Sequence, residues 1–435
     1  QKSPQAIKSK KFKIQKSKHS RIIPQERIYK QETFALFCHC FCAKMFRNFI
    51  GGIFFVILMF LTTFFGSIFM MGPTLPLLFF KPNWFRYISD KLIGTWLGLP
   101  VAILEVMFGM KVHITTENFP SNLGNEKAII IMNHRTRLDW MYYWSVILRQ
   151  GKLENEKIIL KKALKHIPGA GWAMQIAMFL FLKRNWEQDE KYLHPILRYF
   201  TDIKYPLQLL IFPEGTDYSI HSVSKSKSYA LKNNLPIYEH VLHPRLRGFM
   251  YCVEQLRSHR GIDAIYDVTI GYLGSICQSE FDLAMGNLPQ NVHFHIKRHP
   301  IGDIPESTEG LEKWCTEKWA EKEARLDQFY KDGRFLPEQE EKSTIESSIL
   351  YIQMIFWIVY WLTFVFVVFM LLYNFWWVRL YMVVMGTILF LQSSYGGGFE
   401  KLQVDRHVVK SGDRKDYLAG SKHYMPNGND KKHTT

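Results

Sequence analysis

His134 and Asp139 are the two residues whose types and spacing most directly suggest catalysis. They lie in Asn-His-Arg-Thr-Arg-Leu-Asp, residues 133 to 139, directly after the apolar run Ala128 to Met132, which predicts a buried strand. Positions five apart on one helix are about 140° apart around the axis, so the two side chains would not meet. A strand-to-helix corner would bring them together, with Asp139 near the start of a helix over Trp140 to Leu148. The pattern fits a histidine general base steadied by a carboxylate, but Asp139 as a simple helix N-cap is an equally open interpretation.

A second block, Phe-Pro-Glu-Gly-Thr at residues 212 to 216, follows the apolar strand predicted at Leu207 to Ile211. Pro-Glu-Gly alone occurs in ordinary turns. In combination, His-x4-Asp followed by this block resembles the glycerolipid acyltransferase family, whose members move an acyl chain from acyl-CoA onto a glycerol hydroxyl. Neither a Gly-x-Ser-x-Gly elbow nor a serine within the heptapeptide is present, which argues against a lipase.

Three further segments narrow the resemblance to the lysocardiolipin acyltransferase branch, which also handles lysophosphatidylinositol and other lysophospholipids. They are Gly169 to Gln175, Val241 to Arg245 with Gly248-Phe249, and Trp314 to Trp319 followed by Glu321 to Glu323. The similarity runs over roughly residues 50 to 395. Leu242-His-Pro244 departs from the apolar Val-Pro strand of much of the wider family but fits this branch. The Lys/Arg-rich start has no counterpart in it.

The resemblance implies a role for each motif. His134 abstracts the proton of the acceptor hydroxyl, and Asp139 holds the imidazole tautomer and stabilises the imidazolium. A thioester is already activated, so we expect no covalent enzyme intermediate, no cofactor and no metal, with acyl-CoA as co-substrate. The residues assigned to substrate binding are Asn133, Arg184, Glu214, Gly215, Thr216 and Pro244. Among them Arg184, Glu214 and Gly215 bind the glycerol-phosphate part of the acceptor, with the Arg184 guanidinium forking onto phosphate.

Other candidate residues carry weaker signals. For Lys225 and Lys227 we favour a solvated face over contact with CoA phosphates, and for His243 we expect a place beside the acyl groove rather than in the reaction. His293 and His295 share a face of a predicted strand, but no third metal ligand accompanies them. The Cys-His-Cys-Phe-Cys run at 38 to 42 lacks zinc-ligand spacing, so we expect reduced thiols, with palmitoylation as the functional alternative.

Three charge-free stretches indicate a membrane protein. Residues 48 to 80 lack a charged residue for 33 positions, 347 to 378 for 32 and 380 to 399 for 20, and about 20 apolar residues cross a bilayer as a helix. The last two could form a hairpin that turns at Arg379. Leu92 to Met110 contains Pro100 and Glu105, so we expect it to lie in the interface or re-enter it.

Outside these stretches the strand-like and helix-like runs alternate, which predicts an α/β fold. We expect an acyltransferase domain with a central mixed sheet flanked by helices, plus N-terminal and C-terminal membrane helices. The expected organisation is a basic, disordered arm (1–47), a membrane segment broken at Gly72 to Pro76 (48–80), an interfacial or re-entrant segment (81–110), the catalytic domain (111–337), a linker (338–346), C-terminal membrane segments (347–396) and a polar tail (397–435).

The basic arm accounts for much of the net charge of +16, with 12 Lys/Arg against two Glu in residues 1 to 47. We expect it to be a solvated arm that fixes orientation rather than a lipid-binding element, and no nucleic-acid-binding module accompanies it. No apolar core with a cleavage site follows it, so we expect no signal peptide.

The expected function is acyl-CoA:lysophospholipid acyl transfer for phospholipid remodelling, on lysophosphatidylinositol, lysocardiolipin or a related acceptor. The expected place is the endoplasmic reticulum membrane, in a multi-pass protein with its catalytic domain on the cytosolic face. The partners are then acyl-CoA, the lysophospholipid and the bilayer. Two alternatives remain: acylation of 1-acylglycerol 3-phosphate in de novo synthesis, and a non-catalytic lipid-binding membrane protein.

Overall fold

The computed structural model describes residues 47–117, 123–336, 347–412 and 417. Its centre is a seven-stranded mixed sheet of order β1-β7-β6-β2-β5-β3-β4. The strands are β1 (Lys111–Glu117), β2 (Ala128–Met132), β3 (Glu156–Lys161), β4 (Leu180–Leu182), β5 (Gln208–Ile211), β6 (Ala264–Leu273) and β7 (Asn291–Pro300). All neighbours pair in parallel except β6 and β7. The predicted mixed α/β sheet is therefore confirmed.

Helices cover both faces of the sheet and extend beyond it at each end. The N-terminal helices are α1 (Phe49–Phe65), α2 (Leu75–Phe80) and α3 (Pro82–Ala102). Those of the sheet domain are α4 (Asp139–Gln150), α5 (Ala170–Ile176), α6 (Trp186–Asp202), α7 (Ile220–Lys232), α8 (Leu246–Ser258), α9 (Glu280–Ala284) and α10 (Thr308–Asp332). The C-terminal helices are α11 (Ser347–Asn374), α12 (Trp376–Ser394) and α13 (Phe399–Ser411).

The position of strand β2 between two hydrophobic cores explains why its sequence is apolar at every position. Ile130 and Met132 belong to one hydrophobic core, and Ile129 and Ile131 belong to a second core on the other side of the sheet. A strand covered on both faces has no polar side, so alternation disappears. This two-sided burial fixes the position of the corner that follows Met132.

The N-terminal apolar segment keeps a helical path through Gly72 to Pro76, so the predicted break at these residues is wrong. Helix α1 continues as a π-helical stretch to Met71 and a 3₁₀ turn to Thr74 before α2. Pro73 and Pro76 each lie at one of the first two positions of their element, where the fixed φ of proline fits a helical path. The path ends instead at Lys81, whose φ of −141° leaves the helical region.

The C-terminal hairpin was predicted to turn at Arg379, and this position is wrong. The turn lies at Phe375, which has an extended backbone, and Arg379 lies inside α12. The Asn374 amide donates to the carbonyl oxygen of Met370 at 2.7 Å, a side-chain bond of the kind that helps to end a helix. Three helical stretches are long and apolar enough to cross a membrane: Phe49–Phe80, Ser348–Asn374 and Trp376–Ser394.

The first part of the segment predicted as a polar tail forms the helix α13. Glu400 is buried against Lys165, whose ammonium also donates to the carbonyl oxygen of Gly397 at 2.6 Å. Gln403 accepts from Arg86 at 3.1 Å. The helix is held by buried polar partners distant in sequence, and such contacts leave no apolar period in the tail itself. The basic arm before Arg47, the linker 338–346 and Cys38 to Cys42 lie outside the described residues.

Candidate active site

The chain turns between β2 and α4, and the turn brings the predicted pair together. Nδ1 of His134 lies 3.0 Å from Oδ2 of Asp139. Asp139 is the first residue of α4, and the N-cap position belongs to Leu138, so the interpretation of Asp139 as a simple N-cap is wrong. The predicted strand-to-helix corner is confirmed.

The Asp139 carboxylate is fully buried and accepts four hydrogen bonds. Oδ2 accepts from the Thr136 amide at 2.9 Å as well as from His134. Oδ1 accepts from the hydroxyls of Thr136 at 2.9 Å and Tyr272 at 2.5 Å. Burial, and then the nearby carboxylate, raise the pKa of Tyr272 well above its usual value, so its phenol remains a donor. Four donors keep the aspartate oriented toward His134.

The block at residues 212 to 216 wraps around His134. The Phe212 ring stacks on the imidazole with centroids 4.1 Å apart, and the Tyr218 amide donates to the His134 carbonyl oxygen at 2.8 Å. With Nδ1 bonded to Asp139, Nε2 is the ring nitrogen left to accept a proton from a substrate hydroxyl. The imidazole is partly exposed, at 16 % of its side-chain surface, so a substrate can reach it.

Glu214 lies beneath this loop rather than at its surface. Its carboxyl accepts from the His134 amide at 3.3 Å and from the Trp319 indole at 3.4 Å. Burial raises the pKa of Glu214 to about 8. The structure thus gives Glu214 a contact with the histidine main chain, and its proposed contact with the acceptor stays a prediction. Asn133 is also buried. Its side-chain amide donates to the Ile270 carbonyl oxygen and accepts from the Ile270 backbone amide, and these two hydrogen bonds tie the end of β2 to β6.

Arg184 and Gly215, which the resemblance assigned to the acceptor phosphate, lie side by side. The Arg184 guanidinium donates to the Gly215 carbonyl oxygen at 2.6 Å, and Gly215 has a φ of +70° that a side chain would strain. Arg245 reaches the same place, because a Cβ on Gly215 would lie 3.4 Å from its Cδ. Burial and the Arg245 charge lower the pKa of Arg184, while Asp217 raises it. Two cations and one carboxylate therefore surround this glycine.

Thr216 and Pro244 lie half-buried in the two loops that frame this site. Their backbone neighbours bring the loops together, since the Arg245 amide donates to the Pro213 carbonyl oxygen at 2.7 Å. The roles of both residues in substrate binding stay predictions.

Several site residues were missed from the sequence. Thr136 lies inside the heptapeptide and Arg245 inside the segment Val241 to Arg245, so the sequence had already indicated the segments that contain them. Trp319 also lies inside an indicated segment, Trp314 to Trp319. Tyr272 carried no signal, because it reaches the site from a strand more than a hundred positions away in the chain.

The weaker candidates are engaged elsewhere. Lys227 pairs with Glu239 at 2.7 Å, and His243 contacts the Pro236 carbonyl oxygen at 2.9 Å. Burial, and then His113, lower the pKa of His293 to about 4. Among the described residues, no three His, Cys, Asp or Glu side chains gather as metal ligands. Cys252, Cys277 and Cys315 are free and buried.

Together, the fold and site define a class: an α/β protein with long apolar helices, a hydrogen-bonded His-Asp pair and an arginine-lined glycine beside that pair. Comparison with known proteins agrees. A family model described as "Acyltransferase" matches residues 111–272, and one described as "Acyltransferase C-terminus" matches residues 284–357. The chain is 46 % identical over 360 residues to lysocardiolipin acyltransferase 1 of Gallus gallus, covering 82 % of this chain and 94 % of the relative.

Two other relatives extend the comparison. Lysocardiolipin acyltransferase 1 of Mus musculus is 43 % identical, covering 81 % of this chain and 94 % of the relative. Lysophosphatidylinositol acyltransferase 10 of Caenorhabditis elegans is 37 % identical, covering 66 % of this chain and 73 % of the relative. The chain belongs to the acyltransferase family and is an acyltransferase.

Proposed function

We propose that the protein transfers an acyl chain from acyl-CoA to the free glycerol hydroxyl of a lysophospholipid. The observation that carries this proposal is the His134-Asp139 pair, with a partly exposed imidazole and the Arg184-Gly215-Arg245 group beside the same loop. A base and a phosphate site are the two features that acylation of a lysophospholipid requires of the protein.

The reaction follows from these groups. Nε2 of His134 takes the hydroxyl proton while the oxygen attacks the thioester carbonyl, and Asp139 stabilises the imidazolium. When the tetrahedral intermediate collapses, the C–S bond breaks, the new ester remains on the glycerol, and the imidazolium returns its proton to the CoA sulfur. No protein nucleophile is needed.

The acceptor we favour carries a phosphodiester, as lysophosphatidylinositol and lysocardiolipin do. Arg184 and Arg245 supply two positive charges near Gly215 that can bind the acceptor phosphate, and Asp217 lies near Arg184 and pairs with Arg137 at 3.8 Å. The relatives named for lysocardiolipin and lysophosphatidylinositol support the same choice.

A competition assay tests the acceptor. The purified protein receives one labelled acyl-CoA and equal concentrations of lysophosphatidylinositol, lysocardiolipin, lysophosphatidate and glycerol 3-phosphate. We expect faster acylation of the first two. Clear preference for lysophosphatidate would move the protein to de novo synthesis, an alternative supported by relatives named as 1-acyl-sn-glycerol-3-phosphate acyltransferases at 33 to 37 % identity. Absence of transfer to all four acceptors would contradict the proposed function.

We further propose that the catalytic domain faces the cytosol, at the endoplasmic reticulum, where acyl-CoA is available. The two ends of the region that contains α1 to α3 contact each other, because the Arg47 guanidinium donates to the Phe108 carbonyl oxygen at 2.7 Å. A segment whose ends touch enters and leaves the membrane on the same face, which supports a re-entrant hairpin of α1 to α3. The chain also returns to the catalytic domain after α11 and α12, since Lys165 of that domain donates to the Gly397 carbonyl oxygen.

Epitope tags inserted at Lys18 and Lys191 test this topology. Cells are permeabilised at the plasma membrane alone, and antibody access is compared with full permeabilisation. We expect both tags to be accessible in the first condition. Access to only one of them would mean that the first apolar region crosses the membrane once.

A further inference from the structure

A cavity of about 270 Å³ opens next to the His134-Asp139 pair, on the side of Arg135. Its lining combines a cation, a carboxylate, an imidazole, two phenols and one aliphatic side chain: Arg135, Tyr218, Glu239, His240, Ile276 and Tyr330. Pockets for drug-sized ligands measure about 300 to 1,000 Å³, so this cavity has room for a single ring rather than for a whole nucleotide.

Hydrogen bonds within the protein hold the walls of this cavity in place. The Glu323 carboxylate of α10 accepts from the three consecutive backbone amides of residues 239 to 241, at 2.6, 2.9 and 3.1 Å. The Tyr218 hydroxyl donates to the Glu239 carbonyl oxygen, which joins the two loops that form the walls. Because these bonds order the backbone in advance, a ligand does not have to order it on binding.

The same two loops lead from the cavity to the Arg184-Gly215-Arg245 group. One loop runs from Gly215 to Tyr218, and three residues of chain span at most about 11 Å. The other runs from Glu239 to Arg245, whose amide donates to the Pro213 carbonyl oxygen at 2.7 Å. If the acceptor phosphate lies at Gly215, the group attached beyond that phosphate is therefore within reach of the cavity.

The side chains of the cavity can both donate and accept hydrogen bonds. The Arg135 guanidinium has five N–H groups, and its bonds to the Tyr218 carbonyl oxygen and to Oε1 of Gln278 both come from one nitrogen. Burial raises the pKa of Tyr330, so its phenol keeps its proton and can donate or accept. The two tyrosine rings and Ile276 add apolar surface. A hydroxylated ring, which has polar edges and apolar C–H faces, matches this combination.

Carboxylates around the cavity argue against the phosphates of CoA as its occupant. Glu239 lines the cavity, Glu323 lies behind its wall, and Oδ1 of Asp327 lies 3.8 Å from Nε2 of His240. Lysines pair with two of these carboxylates, Lys227 with Glu239 and Lys331 with Asp327. A hydroxyl group can donate to a carboxylate, whereas the oxygens of an ionised phosphate only repel it.

We propose that this cavity binds a cyclic polyol headgroup of the acceptor, such as the inositol ring of lysophosphatidylinositol, and so sets the acceptor specificity. Glu239, His240 and Tyr330 bond the ring hydroxyls, and the Tyr218 ring packs on the C–H face of the polyol. The proposal rests on the proposed function, because it takes the acceptor phosphate to lie at Gly215.

The first experiment measures headgroup binding without acyl transfer. The purified protein in detergent is titrated with glycerophosphoinositol, the acceptor without its acyl chain, or with glycerol 3-phosphate, and binding is followed by saturation-transfer NMR. We expect glycerophosphoinositol to bind tighter by about tenfold or more, because hydrogen bonds to a charged side chain typically contribute that much. Glu239→Gln/Tyr330→Phe should remove most of this difference. The matched control is Glu312→Gln/Tyr395→Phe, which changes exposed residues of the same types and should keep it.

The second experiment measures acyl transfer by the same proteins. Glu239→Gln/Tyr330→Phe should raise KM for lysophosphatidylinositol by about tenfold, because the ring hydroxyls lose their partners. KM for lysophosphatidate, which has no polyol ring, should change by less than about twofold, and so should KM for acyl-CoA. A loss of folding would instead lower the rate with every substrate, and Tm measured on the same samples detects it.

Equal affinity of the wild-type protein for glycerophosphoinositol and glycerol 3-phosphate would overturn the proposal. So would an equal rise in KM for both acceptors in a folded variant, or a rise in KM for acyl-CoA alone, which would assign the cavity to the donor. If wild-type protein acylates no lysophospholipid, the proposed function fails, and the NMR titration still decides whether the cavity binds a polyol.

Discussion

Asp139→Asn separates the charge of this side chain from its hydrogen bonds. Oδ2 faces two groups: the Thr136 backbone amide, which can only donate, and Nδ1 of His134. Oδ1 faces the hydroxyls of Thr136 and Tyr272, which can both donate and accept. Asparagine can therefore keep its oxygen toward His134 and turn its NH2 toward the two hydroxyls. We expect the fold and the imidazole orientation to survive.

The substitution should then remove stabilisation from the transition state, in which His134 is an imidazolium. A hydrogen bond to a charged group contributes about 1.5 to 3 kcal/mol. Loss of that contribution lowers kcat by roughly 10- to 150-fold. Because Asp139 is buried behind the imidazole, KM for acyl-CoA should change little.

The assay is initial-rate acyl transfer by the reconstituted protein, with thermal unfolding measured on the same samples. Asp332→Asn is the matched control, since Asp332 is exposed at the end of α10. Wild-type kcat in a folded Asp139→Asn protein would refute the reasoning, because the carboxylate charge would then have no part in the reaction. A large fall in Tm would instead show that this aspartate acts mainly in folding.

Three further predictions concern groups around the site. Burial raises the pKa of Glu214 to about 8 from an ordinary 4.5, so between these pH values the folded protein holds a proton on Glu214 that the unfolded chain has lost, and this group lowers stability as pH rises. Glu214→Gln should make Tm fall less, or rise more, between pH 4.5 and 8 than it does in the wild type, and an identical pH dependence of Tm would contradict the raised pKa. Glu400→Ala leaves the buried Lys165 without its carboxylate partner, so it should lower Tm and make α13 accessible to limited proteolysis. A digestion pattern identical to that of the wild type would count against this contact. Arg245→Gln should raise KM for the acceptor about tenfold, because the variant loses one charge-assisted hydrogen bond. Arg334→Gln, at an exposed position, is the control, and equal effects of the two variants would contradict this prediction.

The elements that could be predicted from the sequence are those with a strong local signal. The apolar strand Ala128–Met132 lies where the pattern placed it, and the helix predicted over Trp140 to Leu148 lies within Asp139–Gln150. The His134-Asp139 contact followed from spacing and from the need for a corner. In each case neighbouring residues contain the information.

The features that were missed depend on distant partners. Strand β1, Lys111–Glu117, lies at the sheet edge, where its largely polar side chains show no apolar run. The burial of Glu214 under His134 depends on Trp319, and α13 depends on Lys165. No local period records such contacts, so only the folded chain shows them.

The measurement that tests the central claim most directly is acyl transfer by purified wild-type protein and His134→Ala. Labelled acyl-CoA is supplied with lysophosphatidylinositol, and membrane insertion of both proteins is checked in parallel. Wild-type protein should form labelled phosphatidylinositol, and His134→Ala should be slower by about 100-fold or more, because a general base typically contributes that much. Equal rates for the two proteins would contradict the assignment of His134 as the base.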